Sequence, residues 1–287
     1  MLYAYAFIRK KENKREKKEE MNIVLYIIIF IMGTVFGSFY TLAVYRIPKG
    51  IDIIRTHSFC PNCNHKLGFF ELIPVWSYIF QGGKCKNCKQ KIRPRYLILE
   101  VLSGLVFVLV AIGFKIEAYN IDLNQIIIFS FNVLYFTAIF LIAGIDKEQR
   151  KIEKGVLYYG VLVSCAYIIY LCIMGKTSIY RYVMYLITLI ILLIVDSEIQ
   201  INKAETSYVL NVLIYIITIL INLGEFVGLF SSIVVILAIL LTKIVFYIKN
   251  ELNKHRKDYK KLTEIYKFGF LISLASTMLY IWQVLII

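Results

Sequence analysis

Long apolar runs separated by short polar stretches set the pattern of this chain. Eight runs stand out, at about 22–45, 97–114, 126–145, 155–174, 179–195, 207–223, 226–248 and 268–287. About 20 apolar residues in helical form cross the roughly 30 Å hydrocarbon core of a bilayer. The pattern therefore predicts an all-α polytopic membrane protein of about eight transmembrane helices. The fifth and sixth runs are the shortest. A polar loop, 46–96, separates the first two runs, and six helices follow as a membrane domain over 115–287. Residues 1–20 begin with a short apolar start and continue as a dense mixed-charge stretch, a solvated tail or an extended helix. No signal-peptide cleavage pattern follows them.

Composition agrees with that class. The 287 residues are 59% hydrophobic and the mean hydropathy is +0.70, more apolar than a soluble domain of this length. The net charge of +14 need not mean nucleic acid. Loops 46–96, 146–154, 196–206 and 249–267, which eight spans place on one side, carry 22 Lys and Arg; the opposite side carries three, Lys115, Lys176 and, at the start of the fifth run, Arg181. The positive-inside bias then puts loop 46–96 in the cytoplasm of a multi-pass plasma-membrane protein. Lys254, Arg256, Lys257, Lys260 and Lys261 read as a contact with anionic lipid headgroups. The basic tail runs against this topology, because an even span number places it outside with seven Lys and Arg. The expectation is that Met21 is the working start and that residues 1–20 are not native to it.

Loop 46–96 holds the first chemistry. Cys60 and Cys63 form one C-x-x-C, and Cys85 and Cys88 a second, each in a short polar knuckle, CPNC and CKNC. Two such knuckles can close four thiolates around one structural Zn²⁺. A reducing cytoplasm would keep them free for metal. With four cysteines at hand, His57 and His65 read as bystanders. Cys165 and Cys172 lie seven apart in the fourth run and read as packing residues.

Carboxylates supply the second. Asp146, Glu148, Asp196, Glu198 and Glu205 all fall at or near span ends on the side of the cysteine loop. Two carboxyls brought close do not both ionise readily, so one keeps a proton while the other activates water. That division of labour suits hydrolysis of a peptide bond at a membrane surface. No HExxH, P-loop or G-x-G-x-x-G competes with it.

These motifs together resemble the type IV prepilin peptidase family, membrane aspartic endopeptidases that also N-methylate their product. Gly37-Ser38-Phe39 and Tyr45-Arg46-Ile47-Pro48 match the family's entry. Ser58, Cys60-Pro61, Cys63, Glu71-Leu72-Ile73-Pro74-Val75, Ser77-Tyr78, Gly83-Lys84-Cys85, Cys88, Ile92, Arg95-Tyr96 and Glu100 continue the match, which lapses until Ile145-Asp146. The resemblance implies cleavage of prepilin or pseudopilin leaders, with Asp146 as the first catalytic aspartate. It also implies methyl transfer from S-adenosylmethionine, with Glu71 associated with that step. A bland reading of Glu71 makes it a counter-charge for Arg46 or Arg95. Glu100 reads as a carboxylate in the first turn of the second span, favourable at a helix N-terminus.

The second half departs from the family. Glu153-Lys154 stands where a Pro-Asp is usual, and no G-x-G-D-x-K opens the sixth span. Asn202-Lys203-Ala204-Glu205-Thr206-Ser207 occupies that place. Glu205 is the first candidate for the second carboxylate and Asp196 the alternative. A chain without a second catalytic carboxylate, binding or methylating pilin-like helices without cutting them, is the third reading.

Overall fold

The computed structural model describes residues 2–175, 179–199, 204–233 and 268–286, with helical positions at 236, 237, 240 and 244. Much of the seventh apolar run and the basic loop 249–267 lie outside the described residues, as do the side chains of Asp196, Glu198 and Glu205. The described residues are helical apart from loops and two isolated β-bridges. In chain order the helices are α1 (Leu2–Arg46), α2 (Trp76–Phe80), α3 (Arg95–Gly113), α4 (Leu123–Gln149), α5 (Lys154–Ile173), α6 (Ile179–Ile199), α7 (Ala204–Leu223), α8 (225–233) and α9 (Phe268–Ile286). Five described helices, α1, α3, α4, α5 and α9, are long and apolar enough to cross a membrane, and α6 and α7 carry shorter apolar cores. The all-helical, multi-pass reading holds. The charged start is helix throughout, because α1 runs unbroken into the first apolar run.

The chain divides into two compact units. The first holds residues up to Val133 together with 283–287, and α1 packing on α3 is its spine. Gly33 and Gly37, four apart on α1, make that packing close. A Cβ on Gly37 would come within 2.7 Å of the Glu100 Cα, and one on Gly33 within 2.7 Å of the Gly104 Cα. Apolar helices in lipid gain nothing from leaving water, so such small-residue seams let van der Waals contact hold them together. Phe36 stacks obliquely on the fully buried Phe107 at 5.5 Å. At the other end Asn22 accepts the Ala118 N–H at 2.9 Å, tying α1 to the loop after α3.

The second unit, Leu134–Trp282, is a bundle in which buried polar side chains pair across helices. Tyr135 of α4 meets Thr218 of α7 at 3.0 Å, and Tyr215 of α7 meets Ser273 of α9 at 2.8 Å. Asn222 of α7 donates to Ser164 of α5 at 2.6 Å. In a bundle without water these pairs set which face of each helix looks inward.

Candidate functional site

In the first unit the chain leaves α1 through Arg46, which is buried. Its guanidinium donates to the carbonyls of Asp52, Ile53, Thr56 and His57, the shortest at 2.7 Å. Arg46 therefore shapes the approach to the first cysteine knuckle and is not paired with Glu71.

The two knuckles share one backbone plan. The Cys60 N–H donates to the His65 carbonyl and the Asn64 N–H to the Cys60 carbonyl; Cys85, Gln90 and Lys89 repeat the pair. Asn64 and Lys89 both take the left-handed conformation that closes the turn, φ 56° and 59°. The knuckles also cross-brace. The Asn62 amide points at Cys88 Sγ and the Asn87 amide at Cys63 Sγ, each at 3.6 Å. All four Sγ atoms lie within 4.8 Å of one another and could hold a metal ion. The Asn62 amide pulls the Cys88 thiol down to about 6. Cys60, although the Cys63 N–H points at it, is pushed up to about 11 by burial and by its neighbouring thiols. A bound cation removes that difference by taking all four as thiolates. Neither histidine belongs to the cluster, as expected, but His65 has another task.

That task concerns Glu71. Its Oε2 accepts the Gly68 N–H at 2.9 Å and lies 3.2 Å from His65 Nε2. The Gly68 N–H first, and His65 next, hold its carboxyl below the usual range. Oε1 is buried and has no hydrogen-bond partner among the described residues. Glu71 borders a cleft of about 740 Å³ lined also by Phe70, Ile73, Trp76, Gln81 and Lys84.

Glu100 corrects an expectation. It is not in the first turn of α3, which starts at Arg95, and it does not serve that helix end. It is buried, and Oε2 accepts the Val75 N–H at 2.7 Å while Ser38 also bonds to it. Val75 is the centre of a γ-turn, φ 65° and ψ −54°, closed by the Trp76 N–H on the Pro74 carbonyl at 2.7 Å. A β-branched residue at positive φ is a strained outlier. The Gly37-Ser38 pair, the Glu71–Val75 turn and Glu100 thus form one constellation: glycine for approach, serine and the turn as donors, glutamate as the acceptor.

In the second unit Asp146, near the end of α4, is 0% exposed. Tyr208 of α7 donates to Oδ1 at 2.9 Å, and the Phe270 N–H donates to Oδ2 at 3.0 Å. The Tyr208 hydroxyl in turn accepts the N–H groups of Phe268 and Gly269. Asp146 and Tyr208 together receive the first three N–H groups of α9, donors that a helix leaves unsatisfied. Gly269 lets α9 come close, since a Cβ there would lie 3.3 Å from the Asp146 side chain. Glu205 is three residues before Tyr208 in α7, and Asp196 is in the last turn of α6; both side chains fall outside the described residues. Sequence reasoning missed Tyr208, one tyrosine among 22. Its spacing from Glu205 was the only local signal.

Comparison with known proteins bears on the first unit above all. Residues 31–114 match the bacterial peptidase A24 N-terminal domain. Over this region the chain is similar to prepilin leader peptidase/N-methyltransferases. It is 41% identical over 85 residues to a prepilin leader peptidase/N-methyltransferase of Bacillus subtilis (strain 168), covering 30% of this chain and 34% of that protein. A protein of the same name from Klebsiella pneumoniae is 29% identical over 129 residues, covering 43% of this chain and 53% of that one. One from Dichelobacter nodosus is 25% identical over 159 residues, covering 45% and 52%. The chain thus matches between a third and about half of the length of these relatives. No solved structure matches it.

Proposed function

We propose that this protein processes type IV prepilin-like substrates at the cytoplasmic face of the plasma membrane, removing the leader by an aspartic-type mechanism and methylating the new N-terminus. The observation that carries the proteolytic reading is the wholly buried Asp146, with both carboxylate oxygens in the grip of Tyr208 and the start of α9. A catalytic carboxylate needs its plane fixed, because an ångström of misplacement can cost about a hundredfold in rate. Asp146 activates water, and a second, protonated carboxyl polarises the scissile carbonyl and returns the proton to the leaving amine. Glu205 is the first candidate for that partner, less than one helical turn from Tyr208, and Asp196 the alternative. Glu is one methylene longer than the usual Asp, so the α7 backbone must stand correspondingly further from the substrate.

The cysteine cluster fits Zn²⁺. A Zn–S length of about 2.3 Å in a tetrahedron sets S···S edges near ~3.8 Å. Cys60–Cys88 and Cys63–Cys85 measure 3.8 and 4.0 Å. The role is structural: the ion fixes a loop too small to have a core.

Methyl transfer rests on Glu71. S-adenosylmethionine, when bound, supplies an electrophilic methyl group on a sulfonium. The buried Oε1, unpartnered among the described residues, and the rings of Phe70 and Trp76 offer a cationic guest an anionic and an aromatic face, set against Lys84, Lys86 and Lys89 on the border of the same cleft. Because Gly68 and His65 hold its carboxyl low, Glu71 is a weak base. It therefore orients the new N-terminal amine, whose proton passes to water before the neutral nitrogen takes the methyl group.

The test is a membrane assay on a prepilin, read by mass spectrometry of its N-terminus. Asp146→Asn is expected to abolish cleavage, as is whichever of Glu205→Gln and Asp196→Asn removes the partner. Glu71→Gln is expected to yield cut but unmethylated pilin. Full cleavage by Asp146→Asn refutes the proteolytic assignment.

A further inference from the structure

Between the two knuckles the chain displays an apolar surface of which the proposed chemistry uses only Phe70 and Trp76. Phe69, Phe70 and Phe80 are 78, 80 and 81% exposed, and Trp76 and Ile79 are each 58% exposed. Phe69 and Phe70 meet edge to face, and Trp76 stacks on Phe80, so the rings form two rigid pairs. The exposed Lys84, Lys86 and Lys89 border the same cleft as Phe70, Trp76 and Phe80. A patch of this kind on a soluble loop marks a contact surface.

The geometry points to its occupant. α3 has 19 residues, about 28 Å of helix at 1.5 Å per residue, and so only just spans the hydrocarbon. Arg95 at its start lies at the bilayer boundary, and Glu100 is about 7 Å further in. Helical side chains reach back toward the N-terminus, and the Glu100 carboxylate holds the Val75 N–H at 2.7 Å. Val75 is therefore drawn to the level where headgroups meet acyl chains. Its neighbour Trp76 opens α2, and Phe80 is one turn on. The Val75 γ-turn fixes this direction, and the two knuckles clamp both ends of the segment.

We propose that the segment Phe69–Phe80 is an interfacial anchor, its aromatic side chains inserted among the lipids of the leaflet on the side of the cysteine loop, with Lys84, Lys86 and Lys89 on anionic headgroups. Tryptophan and phenylalanine with flanking lysines are the residues that partition to this depth. The inference stands whether or not the Glu71 cleft transfers methyl groups. If it does, the anchor sets the mouth of that cleft at the height where the amine of a membrane helix emerges.

The chain has two tryptophans, Trp76 and Trp282. The Trp282→Phe protein, reconstituted in vesicles containing phosphatidylglycerol, reports on Trp76 alone. Bromines near the head of the acyl chain should roughly halve its fluorescence, bromines near the tail should quench it less, and aqueous iodide should barely act. Efficient quenching by iodide without quenching by brominated lipid overturns the proposal. Protection from both, which a second copy or another protein helix on the patch would give, overturns it as well. Should Trp282→Phe not fold, the difference between the native protein and Trp76→Phe isolates the same signal.

Discussion

Arg46 shows how much one side chain can organise. A guanidinium presents donors in a fixed fork, and here the fork gathers four carbonyls of an otherwise irregular turn. A lysine, with a single charged nitrogen, cannot reach the same set. Arg46→Ala leaves these carbonyls dry at about 1–3 kcal/mol for each that water cannot reach. The expected outcome is faster loss of metal from the cysteine cluster to a chelator, with the helical content unchanged. Glu71 gives a second prediction at this scale. Its carboxyl sits below its ordinary 4.5 in the folded protein, first through the Gly68 N–H and then through His65. A carboxylate lowered on folding contributes stability above its unfolded value and loses it as pH falls through the folded one. The stability difference between the native protein and Glu71→Gln, followed by denaturant unfolding, should therefore hold at neutral pH and shrink below about pH 4.5. The cysteine pairs were legible at this scale because C-x-x-C is local. The partners of Asp146 were not, since Tyr208 and Phe270 stand 62 and 124 residues away.

At the scale of elements, the α1–α3 seam depends on two glycines. An alanine at Gly37 would press its methyl against the Glu100 Cα and the Leu99 carbonyl, backbone atoms that cannot swing aside. Gly37→Ala should destabilise the pair by about 1–3 kcal/mol, the ordinary range for overpacking. The measurement is unfolding in mixed micelles. It should also loosen the Val75 turn, because Glu100 moves with α3. The seam shows why sequence reading succeeded with helices and stopped at their contacts. Apolar runs of about 20 residues announce α3, α4, α5 and α9, helices of 19 to 27 residues, by length alone. Glu100 was read as a helix-start carboxylate because position along the helix was visible and its bond to Val75, 25 residues earlier, was not.

For the whole molecule, the division into two units predicts what metal removal does. The cysteine cluster and Glu71 belong to the first unit, and Asp146 with its donors to the second. Stripping the metal should unfold loop 58–94 and leave the spans intact. Hydrogen exchange should then rise across the knuckles and stay unchanged at Tyr208 and Phe268–Phe270. Methylation by the proposed Glu71 site should fall with it.

The cross-bracing of the knuckles also orders events during synthesis. Cys63 waits for Asn87, and the Val75 turn waits for Glu100, 37 residues after Cys63. At 5–20 residues per second the 25 residues from Cys63 to Cys88 take about 1–5 s. During that interval, the first thiol pair stands open, with half of its cage still unmade. The first thiophile to arrive, metal or oxidant, meets a site that only later sequence can seal.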